Sequence, residues 1–312
     1  MNSNEPVIGM TQSIWDQMRA ELRTDELPQL DQACHSLLSG SLGPLNARQI
    51  EDLASIERSA TRLTRLVEGE PINWSDYGEA AHALRGPLNS TIGFSRLMLK
   101  GIDGPINEAQ RAALETIFST SRRLLALFNL LLDALLLTGN GIRFAMEPVH
   151  VDQILDEFIA AGHTLADNRG IVFEADVMPQ LTGVTVRSDE KRLTQALSAL
   201  LAISVKYTSD GVVKLRAALR ERHLLVHLEN QGCQLPEPLL ADLPCLLTDA
   251  TDLSLPYDAR LRLGLAWHLV TGLKGTLEAQ QVGQTCAFTV TIPVNQSIKY
   301  DRQDDSEHPV SW

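Results

Sequence analysis

The sequence has no basic block. Its 27 Lys and Arg residues stand against 39 Asp and Glu, for a formal net charge of −12. That argues against a nucleic-acid surface and against an anionic membrane face. It also has no long hydrophobic run. The longest, Leu124 to Leu137, is broken by Asn129 and Asp133 and is shorter than the roughly 20 apolar residues that cross a bilayer. Met1 to Val7 has no apolar core, which predicts no secretory signal. Cysteine is scarce: Cys34, Cys233, Cys245 and Cys286 show no close pair and no metal-ligand spacing. Free thiols in a reducing cytosol are the expectation. What remains is the composition of a folded protein, 312 residues with 44% hydrophobic content, enough for two domains with cores of their own.

Periodicity predicts helices first. Ile14, Met18 and Leu22 lie at helical spacing in a helix over 8–28, with Pro28 as its interruption. Residues 29–68 predict two helices around a turn at Gly43-Pro44. Ile50, Leu53, Ile56, Leu63 and Leu66 form one side of the second. Leu84, Leu88 and Ile92 stripe a further helix, which Pro87 is expected to bend. Residues 71–78 read as a polar, turn-prone joint, and Asn140-Gly141 as the end of the last helix in this half.

This half repeats itself. A shift of 61 positions lays Leu38 on Leu99, Gly43-Pro44 on Gly104-Pro105, Asn46 on Asn107 and Gln49 on Gln110. The match continues through Leu53 and Leu114, Ile56 and Ile117, Arg62-Leu63 and Arg123-Leu124. The first 70 residues therefore read as a degraded copy of the hairpin that follows. With a one-residue gap, Ala20-Glu21-Leu22-Arg23-Thr24 echoes His82-Ala83-Leu84-Arg85-Gly86, with alanine at the histidine position.

From Met146 the pattern changes. A helix is expected over Ile154 to Leu165, strands at Ile171–Phe173 and Val184–Val186, and a helix from Asp189 to Tyr207 opening on an acidic turn. A strand pair follows at Val212–Leu219 and Leu224–Leu228, then a helix over Leu261–Leu273 and strands at Gly275–Ala279 and Ala287–Ile292. Residues 295–312 are polar and predict a loose tail.

His82-Ala83-Leu84-Arg85-Gly86-Pro87-Leu88 resembles the H-box of bacterial sensor histidine kinases, usually His-Glu-Leu-Arg-Thr-Pro-Leu. Residues 147–294 resemble that family's ATP-binding domain. The resemblance implies an α+β chain, a helical-hairpin four-helix-bundle domain followed by a GHKL-type α/β sandwich. Its divisions are 1–70 (the degraded hairpin copy), 71–143 (the phosphoacceptor hairpin), 144–295 (the ATPase-like domain) and 296–312 (the tail). Family hairpins pair between two chains; a chain with two hairpins has material for an intramolecular pseudo-dimer, the alternative being a homodimer. There is no room for a large input domain, so sensing is expected to be small, absent or supplied by a partner.

The same resemblance implies site residues, and the sequence departs from the family at each. His82 stands as phosphoacceptor, since an imidazole is nucleophilic near neutral pH, with Arg85 beside it. The acid that normally follows is Ala83, which can take no proton, and the Thr or Asn four residues on is Gly86. The N-box is Ala199-Leu200-Leu201-Ala202-Ile203-Ser204-Val205-Lys206-Tyr207-Thr208, with Ile203 where an asparagine would bind magnesium. The adenine motif Asp-x-Gly-x-Gly is Asn230-Gln231-Gly232-Cys233-Gln234, and the lid Gly-x-Gly-Leu-Gly-Leu is Arg260-Leu261-Arg262-Leu263-Gly264-Leu265. The degenerate nucleotide pocket is thus expected at Asn230, Gly232, Lys206, Tyr207 and Gly264, with ATP and magnesium doubtful and no other metal.

Three readings follow. The first is a cytoplasmic pseudokinase that acts as a binding or scaffold module without ATP-driven autophosphorylation. The second is a histidine phosphotransferase that relays phosphate through His82 to or from a response regulator. The third is an active kinase with an unusual nucleotide site. The partner is a response-regulator receiver domain or a partner kinase, with neither nucleic acid nor membrane.

Overall fold

The computed structural model describes residues 5–138, 142–236, 238–241, 243–247 and 256–294. The expected tail and the expected Asn140-Gly141 cap lie outside them. The chain divides into two compact units, residues 1–143 with 235–269, and residues 144–234 with 270–312.

The first unit is helical: α1 (Glu5–Leu22), α2 (Glu26–Leu38), α3 (Ala47–Glu68), α4 (Tyr77–Leu99) and α5 (Glu108–Thr138). The first break does not fall at Pro28. The chain turns at residues 23–25, and Pro28 sits in the first turn of α2, where backbone N–H groups have no helical acceptor to lose. α4 runs continuously from Tyr77 to Leu99 with Pro87 inside it. α4 packs against α5 and α3, and α2 packs against the same two helices. Four helices thus close into a bundle within one chain, with α1 laid against α5 and α3. The expected polar joint at 71–78 carries a buried tryptophan. Trp74 stands edge-on to Trp15 of α1 at 5.9 Å, Trp15 meets Phe128 of α5 at 5.7 Å, and the Trp74 indole N–H donates to Gln12 Oε1 at 2.7 Å.

The repeat is visible in the hydrogen bonds of the two hairpin turns. Asn46 caps α3 by accepting from the Gln49 N–H, and the Gln49 side chain accepts from the Asn46 N–H. Asn107 and Gln110 do the same at α5. Each pair then reaches across to the other turn. The Asn46 amide donates to the Asp103 carbonyl and Asn107 to the Leu42 carbonyl. Gln49 donates to the Pro105 carbonyl and Gln110 to that of Pro44, both at 3.1 Å. Gly43 (φ +108°) and Gly104 (φ +112°) hold the turns in a backbone region that side chains resist. A Cβ on either would meet the opposite asparagine amide at 2.8 or 2.7 Å. Every bond maps onto its mate by the 61-residue shift, so the two hairpins meet about a local two-fold axis. Beyond α5, Leu247, Tyr257 and Leu261 belong to this unit's core.

The second unit opens with β1 (Glu147–His150), antiparallel to β3 (Thr185–Ser188). Its main sheet has the order β2-β4-β5-β7-β6. β2 (Val172–Val177) runs parallel to β4 (Val212–Arg220), and the remaining pairs are antiparallel: β5 (His223–Gln231), β6 (Thr276–Val282) and β7 (Thr285–Pro293). β5 and β7 alternate buried and half-buried residues along their length, the period of a sheet covered on one face. α6 (Val151–Asp167) packs on β2 and α7 (Glu190–Lys206) on β5. A short turn, α8 (Pro238–Ala241), and most of α9 (Tyr257–Gly272) belong to the first unit. The fold is the α+β one expected, a helical bundle followed by a GHKL-type sandwich.

The cysteines depart from expectation. Cys233 and Cys286 form a disulfide, their Cα atoms 5.8 Å apart across 53 residues. The register explains what spacing hides: β7 lies beside β5, Cys286 opposite Asn230, and Cys233 follows just past the strand end. Cys34 and Cys245 take no part in a disulfide.

Candidate functional site

His82 lies in the second turn of α4, whose start is fixed by Asp76 accepting from the Glu79 N–H at 3.0 Å. Ala81 and Leu84 are buried on either side of it, and the imidazole itself is exposed. The helix therefore buries its stripe and leaves the histidine in water. The ring turns its Nδ1–Cε1 edge to Gly86; a Cβ there would stand 4.0 and 3.8 Å from those atoms. Ala83 offers no side-chain oxygen.

A groove of about 430 Å³ runs past His82, between α4 and α3. Gly86 and Ser90 line it from α4; Ser55, Arg58 and Arg62 line it from α3. Both arginines are exposed. Arg58 Nη2 donates to Ser55 Oγ at 2.9 Å, and neither guanidinium has an acidic partner among the described residues. These arginines were not found from the sequence. The signal was in the repeat: once the hairpins pair within the chain, α3 is the helix that faces the histidine.

Arg85 is placed elsewhere. Its Nε donates to Asn129 Oδ1 of α5 at 2.7 Å, and its guanidinium lies over the Tyr77 ring, 6.0 Å from the centroid. It ties α4 to α5 and does not line the groove.

The nucleotide motifs lie on α7 and β5. Lys206 ends α7 with its Nζ 5.5 Å from the centre of the Tyr207 ring. The turn after α7 meets the end of β5: Ser209 N–H donates to the Gly232 carbonyl at 3.1 Å, and Gln234 N–H to that of Tyr207 at 2.8 Å. Lys206, Tyr207, Asn230 and Gly232 thus come from two neighbouring segments. Gly232 has φ +75°, and a Cβ there would strike the Ser209 carbonyl at 2.5 Å. Gln234, at the family's second glycine, donates to Ser209 Oγ at 2.9 Å and bridges the two segments. Asn230 is fully buried, with neither Oδ1 nor Nδ2 partnered. An amide with a free donor and a free acceptor suits the edge of an adenine ring. Magnesium does not fit. Ile203 is fully buried and offers hydrocarbon where the ion needs oxygen. Among the described residues no three His, Cys, Asp or Glu side chains gather to hold a metal. Gly264 is as tightly enclosed: a Cβ there would meet Leu247 Cγ at 2.5 Å.

Residues 78–135 match the His Kinase A (phospho-acceptor) domain. The sequence of the "Non-motile and phage-resistance protein" of Caulobacter vibrioides is 26% identical over 273 residues, 81% of this chain and 32% of that one. The circadian input-output histidine kinase CikA of Synechococcus elongatus is 29% identical over 223 residues, 70% of this chain and 30% of that one. Over most of its length the chain is similar in sequence to two-component sensor kinases, and residues 78–135 carry their phospho-acceptor domain. Among solved structures, full-length ShkA in complex with AMPPNP shares the fold. It has a TM-score of 0.57 and 22% identity, and covers 71% of this chain and 46% of that one. The chain spans about a third of the length of these relatives. Among the described residues no helix is long and apolar enough to cross a membrane.

Proposed function

We propose that this histidine-kinase-type chain acts in two-component signalling as a phosphotransfer protein that has lost ATP-driven autophosphorylation. His82 takes a phosphoryl group from the aspartyl phosphate of a receiver domain and passes it on. In the accepting step an imidazole nitrogen attacks phosphorus. The N–P bond forms as the P–O bond to the aspartate breaks, the carboxylate leaves, and the ring releases its proton to solvent. The receiver supplies the metal and the acid, so the chain needs only an accessible imidazole on a rigid helix. The observation that carries this reading is the pairing of an exposed His82 on an unbroken α4 with a fully buried Ile203 at the magnesium position. The imidazole is accessible, while the residue at the position where the resemblance expects a magnesium-binding asparagine is a buried hydrocarbon. The setting is the cytoplasm, where receiver domains are met, and the two hairpins serve as one intramolecular pseudo-dimer.

A second reading is favoured by Ala83: with no acid beside the histidine, the chain is a pseudokinase scaffold that binds a receiver or a kinase through its bundle. His82→Ala separates the two. Receiver domains charged with acetyl phosphate are mixed with the chain and label is followed to it. Transfer to the wild type and none to His82→Ala supports relay, whereas binding without transfer in both leaves the scaffold. Calorimetry with ATP, with and without magnesium, tests the lost kinase step: no magnesium-dependent heat is expected at millimolar ATP, and label from ATP on His82 would overturn the reading.

A further inference from the structure

The degraded first hairpin contributes more than packing. We propose that Arg58 and Arg62 of α3 form the phosphoryl-oxygen-binding half of the His82 site, so that one hairpin supplies the nucleophile and the other the anion receptor. This rests on the phosphotransfer reading above. Both guanidiniums line the same groove as the imidazole. A second groove lined by the same two arginines also holds Arg65, Glu57 and Glu70, yet neither Arg58 nor Arg62 is paired with an acid among the described residues. In a chain of net charge −12, two unpaired guanidiniums beside an exposed imidazole make a local anion site. A guanidinium presents several N–H donors in a planar fork that suits phosphate oxygens. A phosphoryl group in transfer spreads its charge over three equatorial oxygens, where such donors stabilise it most. The hydroxyls of Ser55 and Ser90 stand in the same groove as further donors.

The local two-fold axis strengthens the assignment, because it provides a control face within the same molecule. The shift that carries Arg62 to Arg123 carries Arg58 to Ser119, and the first copy has Ala20-Glu21 where the second has its histidine. Arg123 donates to Thr120 Oγ1 at 3.3 Å. The groove between α3 and α4 combines Arg58 and Arg62 with the His82 imidazole.

The test uses phosphoramidate, a small phosphoryl donor that needs no protein partner. The imidazole N–P bond forms as the donor's P–N bond breaks, and ammonia leaves as ammonium with the proton the ring gives up. Phosphohistidine at position 82 is followed by mass spectrometry in the full chain, in Arg58→Gln, Arg62→Gln and their double variant, and in the double lysine variant. Inorganic phosphate is titrated against the His82 ring resonances in parallel. Labelling roughly tenfold slower in the double glutamine variant is expected, with partial recovery in the lysine variant and loss of the phosphate-induced shifts. Thermal unfolding should not move, since both side chains are exposed. Equal labelling and equal phosphate shifts in all variants would make the arginines ordinary solvated residues and overturn the assignment, while leaving His82 as acceptor. No phosphohistidine in any variant would remove the phosphotransfer reading itself, and the arginine assignment with it.

Discussion

Asp52 on α3 and Asp103 in the second hairpin turn show how much one residue pair can set. Burial is the main reason the Asp52 carboxyl is pushed up to about 6, followed by its hydrogen bond to Asp103 and the repulsion between the two. Neither Asp52 Oδ2 nor Asp103 Oδ2 has another partner. Because the folded value lies above the ordinary 3.8, the proton favours the fold. The contribution is fully present below 3.8 and is lost as pH rises through about 6. Asp52→Asn keeps a donor toward Asp103 and removes the titration. Its melting temperature is therefore expected to exceed that of the wild type by a few degrees at pH 7.5, and the gap to close by pH 4. A gap independent of pH would show that the pair does not share a proton. The pair was not legible in the sequence, because the two residues meet only when the two turns dock. His82 was legible, because its frame is local. The role of Arg85 was not: what decides it is Asn129, reached only by packing α4 on α5.

At the scale of the element, the hairpin turn is the unit that repeats best, and its chemistry explains why. Asn46 does two things at once, capping α3 and reaching the Asp103 carbonyl on the opposite turn. Asn46→Ala removes both, and a loss of about 1–2 kcal/mol in denaturant unfolding is expected. Asn107→Ala should cost about the same, since its bonds are the reciprocal ones. A large inequality between the two would show that the turns are alike in sequence without sharing the load. Most helices and strands could be placed from periodicity alone, since a stripe of Leu84, Leu88 and Ile92 or the alternation of β5 depends on near neighbours. The elements that escaped depend on distant ones. Pro28 looked like a breaker because its ring cannot enter a helix interior, yet a first turn accepts it. Cys233 and Cys286 looked unrelated because strand order, and not spacing, brings them together.

At the scale of the molecule, α2, α3, α4 and α5 pack on one another within one chain. The 312-residue chain is thus expected to sediment as a monomer of 34.3 kDa, and a dimer that His82-hairpin substitutions dissociate would overturn the single-chain arrangement. The paired turns have a consequence for how such a protein changes. In a symmetric dimer every substitution is made twice, so a residue useful on one face must be tolerated on the other. Here the halves are written separately, and each edit is made once. The asymmetry between Arg58 and Ser119, or between His82 and the Ala20-Glu21 of the first copy, is a freedom that only a fused pair possesses.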